Sequence, residues 1–398
     1  MKQRIFITMH YLEIGGAEIS LIGLLQAIDY SKYDVDLFIH AHHGELMSFI
    51  PKEVNLLPEV KKYSVLEKPF MDCVKSGYWD VAFMRFVAKY KRKRYYQSHP
   101  DVKDDDDYFI SHYTTWLLPR INPSVEYDLA ISFLTPHKIV LDKVRAKKKV
   151  AWIHTDYQSI KVARELALPV WEKYDKIASI SKDITKTFTS VFPSLSGKII
   201  EMENILSSEF VRKRADMLDV GKEMGSEDSI NILSVGRFAP AKNYDNVPDI
   251  CSRIIKKGIQ VKWYIIGYGA DEQLIRRRIA EAGMEEHVII LGKRSNPYPY
   301  IMSCDIYAQP SRYEGKSVTV REAQILCKPV AITAYSTASS QVQDGIDGVI
   351  VPMDNEGCAQ GIVDFIRNTG LQERIKAYLR CHDYGNEEEV NKLEILMK

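Results

Sequence analysis

The chain has 398 residues, more than one hydrophobic core usually serves, so two domains are expected. Its composition is that of an ordinary globular protein, 45% hydrophobic and 27% charged, and a formal net charge of +1 argues against a protein built to coat nucleic acid. Six scattered cysteines (Cys73, Cys251, Cys304, Cys327, Cys358, Cys381) with no C-x-x-C pair exclude a zinc ribbon and a disulfide scaffold and fit a reducing cytosol.

Arg4 to Met9 reads as a first buried strand; Glu13 breaks the apolar run that a signal peptide would need. A Gly15-Gly16 turn and a helical run from Ala17 to Ala27 follow, the opening unit of a doubly wound domain. No G-x-G-x-x-G fingerprint is present, so a nicotinamide site is not supported, and the glycine pair serves either the turn alone or the close approach of a ligand. Val35 to His40 and Val54 to Leu57 are the next strands. From Lys61 to Trp116 the α/β rhythm blurs. Within it, Trp79 to Tyr96 mixes a basic run with aromatic residues, which fits an anionic membrane surface, a solvated helix offset by Asp104 to Asp107 or, third, a nucleic-acid patch. No apolar run is long enough to cross a bilayer.

Strands resume at Leu129 to Phe133 and Val150 to Ile153. His154 stands just past the second of these, where α/β sheets put ligands, although a structural histidine fits there too. Ile177 to Ile180 and Lys198 to Ile200 close the first domain, expected to span 1–204. A polar connection, Asp216 to Asp228, leads into a second domain, expected over 205–383. Its first strand, Ile230 to Val235, ends in a loop where Arg237 and Lys242 are five residues apart. Beside a glycine, a strand end and a helix start, the two cations form a plausible diphosphate clamp. Val261 to Ile266 ends in Gly267, and Val288 to Leu291 ends in Gly292-Lys293-Arg294; these loops would line the same crevice.

Next comes PSRYEGKSVTVREAQILCKPV, Pro310 to Val330, following a short strand at Ile306 to Ala308. Glu314 lies in a loop and Glu322 in a helix that begins near Ser317, which is suited to capping it; the carboxylates stand eight residues apart. Free N–H groups at such a helix start suit a phosphate, and carboxylates suit sugar hydroxyls. The competing reading is a capping box, Thr319-x-x-Glu322, with Glu314 an ordinary loop charge. Val330 to Ile332, the hydroxyl-rich Tyr335 to Gln341 and Gly345 to Val351 complete the pattern, and Asn386 to Leu396 reads as a final helix.

The Glu-x₇-Glu stretch resembles the donor site of the retaining glycosyltransferases of family 4. The resemblance is strong from Ile230 to Pro352, fair at the N-terminus and Trp152 to Asp156, and poor from Lys61 to Trp116. It implies an α/β protein of GT-B fold, two doubly wound (Rossmann-like) domains facing a central cleft, with a terminal helix, 384–398, packing back on the first domain. The implied reaction moves a sugar from a nucleotide-diphosphate donor, UDP-linked by expectation, to a hydroxyl of a glycan or lipid-linked acceptor with anomeric retention. Carried over residue by residue, Arg237 and Lys242 would stabilise the leaving diphosphate in place of a metal, so no cofactor and no metal are expected. Glu314 would orient the sugar, Glu322 the ribose, and His154 would lie beside the donor sugar. Gly16, Gly267, Lys293, Arg294, Gly315, Lys316, Ser317 and Val318 would complete the donor site. Lys316-Ser317 departs from the pair ending in Pro or Gly that many members carry. The rival functions are a nucleotide-sugar epimerase of the same fold and a non-catalytic nucleotide-sugar-binding protein. A cytoplasmic protein, peripheral on the membrane's inner face or free of it, is the expected setting.

Overall fold

Short runs dominated by Ile, Val, Leu and aromatic residues, too short for helices and buried on both faces, make parallel strands here. The first seven are β1 (Gln3–Met9), β2 (Tyr33–Ile39), β3 (Asn55–Leu56), β4 (Tyr127–Ser132), β5 (Ala146–Ile153), β6 (Lys176–Ser179) and β7 (Ile199–Glu201). The computed structural model describes every residue except 1, 14, 68–69, 101, 103–105, 156, 158–161, 226–228 and 315–316. It divides into two units, Met1–Ile205 with Glu387–Lys398, and Leu206–Asn386.

In the first unit the sheet runs β3-β2-β1-β4-β5-β6-β7, the doubly wound order. Ile5 of β1 pairs with Val35 on one side and Leu129 on the other, so the first strand of the chain is central in its sheet. Phe6, Tyr127, Trp171 and Phe188 are buried in its core, each contributing about 1.5–3 kcal/mol by leaving water. The stretch where the rhythm blurs is helical: Lys61–Ser64, Phe70–Lys75, Trp79–Ser98 and Asp106–Thr114 all lie between β3 and β4. Asp104 and Asp105, expected to offset the basic run, lie outside the described residues.

The second unit has β8 (Ile230–Val235), β9 (Val261–Ile266), β10 (Val288–Gly292), β11 (Ile306–Gln309), β12 (Val330–Thr333) and β13 (Val349–Val351), in the order β10-β9-β8-β11-β12-β13. Its core gathers Ile232, Ile250, Trp263 and Ile362. Each expected strand is present, but Gly345 to Val351 keeps only its last three residues as strand. Its start is a turn, closed by the Gly345 N–H on the Gly348 carbonyl at 2.8 Å.

The chain end differs from the single helix expected. It is a 3-10 segment, Glu387–Lys392, followed by a one-turn helix, Leu393–Leu396. Tertiary anchors explain the break: Lys392 donates to the Glu201 carbonyl at 2.9 Å and to Glu389, while Glu389 accepts from the Glu203 N–H at 2.8 Å. Leu393 and Leu396 are fully buried in the first unit. Among the described residues no helix is long and apolar enough to cross a membrane.

Candidate active site

Doubly wound sheets receive ligands outside the carboxyl ends of the strands, where the strand order reverses. In the second unit that place lies between β8 and β11. The loop after β8 carries Arg237 and Lys242, and the segment after β11 carries Ser311, Arg312 and Glu314. Arg312 stitches the two together. Its main-chain N–H donates to the Ala241 carbonyl at 2.8 Å, and its guanidinium forks onto Asp245 at 2.9 and 2.8 Å.

With the loops so fixed, Lys242 Nζ meets Glu314 Oε1 at 2.6 Å, both side chains mostly shielded from water. Gln309 Nε2 at 3.0 Å and Ser311 Oγ at 2.6 Å donate to the same oxygen. Glu314 Oε1 thus accepts three hydrogen bonds, while Oε2 accepts none from the described residues. A carboxylate with one oxygen anchored and the other open is prepared to receive a hydroxyl donor. Arg237 is exposed, and among the described residues no ion pair holds it.

Close approach of three loops builds the rest. A Cβ on Gly267 would stand 1.9 Å from the Gly236 carbonyl oxygen, and one on Gly269 2.3 Å from that of Phe238, so only glycine lets these turns close. The Lys293 ammonium lies 5.5 Å from the centre of the Tyr268 ring. Arg294, expected in the same crevice, donates to the Tyr300 hydroxyl at 2.8 Å and to Glu223 at 2.9 Å. The Glu223 carboxylate holds its pKa above the usual arginine value.

The helix Val318–Ile325 starts where expected, but Ser317 does not cap it. Its hydroxyl pairs with that of Thr319 at 3.0 Å, because the Gln341 amide grips the Ser317 backbone, accepting from its N–H at 3.2 Å and donating to its carbonyl at 2.5 Å. The first turn of the helix is therefore left without a side-chain cap, the arrangement that suits an anion. Val318 is the first helical residue; Gly315 and Lys316 lie outside the described residues. The Thr337 hydroxyl donates to the Glu314 carbonyl at 2.8 Å and braces the same loop.

The capping box does not form either. Thr319 sits inside the first turn, and Glu322 Oε1 accepts from the Tyr298 hydroxyl at 2.8 Å. Burial pushes the Glu322 pKa up to about 7, against the opposing pull of Tyr298 and Arg214. Arg214 lies over the rings of Phe210 and Tyr298, 5.3 Å from each centre. Sequence reasoning missed Arg214, Tyr298, Gln309, Ser311, Arg312 and Gln341. The available signal was Gln309 and Ser311, polar residues at the end of an otherwise apolar strand and wholly buried.

In the first unit, His154 follows β5 and packs against Phe133 (ring centres 4.8 Å apart) and Trp152 (6.2 Å, stacked). Neither ring nitrogen finds a hydrogen bond of ordinary geometry among the described residues. Burial pushes its pKa down to about 3, and the nearby Phe133 main chain offsets only part of that, so the imidazole is neutral. Gly16 opens the helix Gly16–Ala27, and a Cβ there would meet no atom within 4 Å, so packing does not demand glycine.

Residues 221–381 match a family model described as "Glycosyl transferases group 1". Among curated proteins, the chain is 28% identical over 173 residues to the N-acetylgalactosamine-N,N'-diacetylbacillosaminyl-diphospho-undecaprenol 4-alpha-N-acetylgalactosaminyltransferase of Campylobacter jejuni, covering 42% of this chain and 47% of that protein. It is 23% identical over 204 residues to the poly(ribitol-phosphate) alpha-N-acetylglucosaminyltransferase of Staphylococcus aureus, covering 46% and 41%. The chain thus spans less than half the length of these two relatives. Among solved structures, Anabaena HepE in complex with UDP and glucose superposes with a TM-score of 0.66 at 14% identity, covering 99% of this chain and 98% of that one. A Staphylococcus aureus TarM complex with UDP gives 0.65 at 13% identity, covering 100% of each chain. The chain has the GT-B fold, and its second unit carries the pattern of the group 1 glycosyl transferases.

Proposed function

We propose that the protein is a retaining glycosyltransferase that moves a sugar from a UDP-sugar to a hydroxyl of a glycan or lipid-linked acceptor, as in surface polysaccharide or glycoconjugate synthesis. The observation that carries this reading is the Lys242–Glu314 pair at the strand-order reversal of the second sheet, with Glu314 Oε2 accepting no hydrogen bond from the described residues. Two relatives named for transfer onto a diphospho-undecaprenol and a poly(ribitol-phosphate), and two neighbours solved with UDP, support the donor and acceptor classes.

The chemistry follows from charge. As the glycosidic bond breaks, electrons pass to the leaving diphosphate; Arg237, Lys242 and the uncapped helix start at Ser317 stabilise that charge. Glu314 holds the sugar hydroxyls through Oε2, Glu322 takes the ribose, and His154 meets the sugar as a neutral imidazole. Gly267, Lys293 and Val318 line the nucleotide, with Gly315 and Lys316 between the two glutamates. Arg294 acts through Glu223 and Tyr300 by bracing its loop. The diphosphate itself accepts the acceptor's proton on the same face of the sugar, giving retention without a protein nucleophile. The cations supply the charge that a metal would, so we assign no metal. Free thiols at all six cysteines support a reducing, cytoplasmic setting.

The test is a thermal-shift screen over nucleotide sugars, followed by turnover of the best binder with and without acceptor. Consumption that needs an acceptor supports transfer. Isomerisation of the donor alone would replace this reading with an epimerase, and binding without turnover would replace it with a binding protein.

A further inference from the structure

The helix Trp79–Ser98 turns its small apolar residues inward and its large ones outward. Val81 and Ala88 are buried, and Arg85 reaches back to the Val65 carbonyl at 3.0 Å. Trp79, Phe83, Phe86 and Tyr90 keep 67%, 64%, 60% and 52% of their surface in water. At about 100° per residue these four fall within an arc of roughly 60°. By the same geometry Lys91 and Arg94 run along one side of the stripe and Lys89 and Lys93 along the other, all four exposed.

Beside the stripe lies a groove of roughly 450 Å³, its apolar lining drawn from Phe70, Phe86, Phe109 and Ile110, with Lys89 and Arg92 also on it. A helix solvated only by water would not show four aromatic rings at helical spacing while burying an alanine. Exposed apolar surface rimmed by charge marks an interaction face. The charge chooses the partner. A symmetric dimer through this face would set four cations against their own copies, which repel. Anionic lipid fits both features: rings sit at the headgroup layer and cations meet phosphate.

We propose that this face of the first unit docks on an anionic phospholipid bilayer, with the groove beside Phe86 receiving an acyl chain. The inference stands on the first unit alone and does not rest on the glycosyl-transfer reading. Docked in this way, the protein would meet a lipid-linked acceptor at the surface where such acceptors are held.

The experiment is co-sedimentation of the full chain with vesicles of phosphatidylcholine alone or mixed with phosphatidylglycerol, at rising salt. Binding is expected on the anionic vesicles only and should weaken as salt screens the cations. Changing Lys89, Lys91, Lys93 and Arg94 together to Ser should lower partition at least about 100-fold. Changing Phe83 and Phe86 together to Ser should lower it at least about 10-fold. All of these positions are exposed, and circular dichroism melts of the variants should match the parent. Equal sedimentation on neutral and anionic vesicles, or of variants and parent, overturns the proposal. So does a dimer that the Phe83→Ser, Phe86→Ser variant dissolves, or oligonucleotide binding that anionic vesicles do not compete.

Discussion

Lys242 Nζ and Glu314 Oε1 stand 2.6 Å apart although 72 residues separate them in the chain. The cation read from sequence as a phosphate clamp and the carboxylate read as a sugar holder form one ion pair. Gln309 and Ser311 also donate to that oxygen, so Glu314 would stay hydrogen-bonded if Lys242 turned to a phosphate. On the proposed reading, the pair would be a store of positive charge that a diphosphate draws on without stranding a half-buried carboxylate.

Removing Glu314's charge should therefore release Lys242. Glu314→Gln is expected to bind UDP as well as the parent or up to about 10-fold tighter, while sugar transfer slows by about 10²-fold or more. Calorimetric titration with UDP and a transfer assay measure the two effects. Weaker UDP binding in this variant would show that the pair holds the site together and stores no charge for the ligand.

Replacing Arg237 or Lys242 by Ala should cut transfer by about 10²-fold or more, the usual scale for groups that stabilise transition-state charge. Activity should survive a chelator. Loss of activity in EDTA that magnesium restores would sink the metal-free reading.

Glu322→Gln should behave in two ways at once. If the carboxylate takes the ribose, UDP affinity should fall by about 10- to 150-fold, the cost of one hydrogen bond to a charged group. The same variant should become more stable than the parent as pH rises. Glu322's folded pKa is raised from 4.5 to about 7, so the folded chain holds a proton that the unfolded chain has released, and the parent loses stability between these values. Gln has no such loss. Denaturation at pH 4.5 and at pH 8 should show the variant's advantage appearing only at the higher pH, on the order of 1–3 kcal/mol. An advantage independent of pH would refute the buried-carboxylate account.

Acid should act on the first unit through two buried imidazoles. His154 and His137 are both pushed down from 6.5 to about 3, each by burial above all. Between these values the unfolded chain takes up protons that the folded chain refuses, so stability is lost as pH falls below 6.5, by about 1.4 kcal/mol per unit for each histidine. His154→Gln should show a smaller loss between pH 7 and pH 5 in denaturant titrations. A loss equal to the parent's would mean that His154 is charged or exposed in the folded protein.

Arg312→Lys tests whether the loops are positioned by their fork. Lysine keeps the charge but cannot grip both oxygens of Asp245, so the β8 and β11 loops should loosen. KM for the donor should rise several-fold with global stability changed by about 1 kcal/mol or less. An unchanged KM would reduce the bridge to an ordinary surface pair.

The sequence by itself determined the strands, because short apolar runs bounded by glycine and polar turns have few other ways to bury themselves. It also determined the residue types of the site: Arg237 and Lys242 after one strand, Glu314 and Glu322 eight residues apart after another. Only the tertiary structure decided who meets whom. Strand order puts β11 beside β8, and that adjacency brings Glu314 to Lys242 and Arg312 to Asp245. Local pattern suited Ser317 to capping and offered a capping box as the competing reading of Glu322, but Gln341 holds the first and Tyr298 the second, and neither partner is near in sequence. In the helix Trp79–Ser98 apolar residues occur on more than one face, so periodicity could not say which was buried. Packing on the first unit chose Val81 and Ala88 and left the aromatic rings in water. Contacts between segments far apart are set by how whole sheets assemble, and no window of local sequence contains that information.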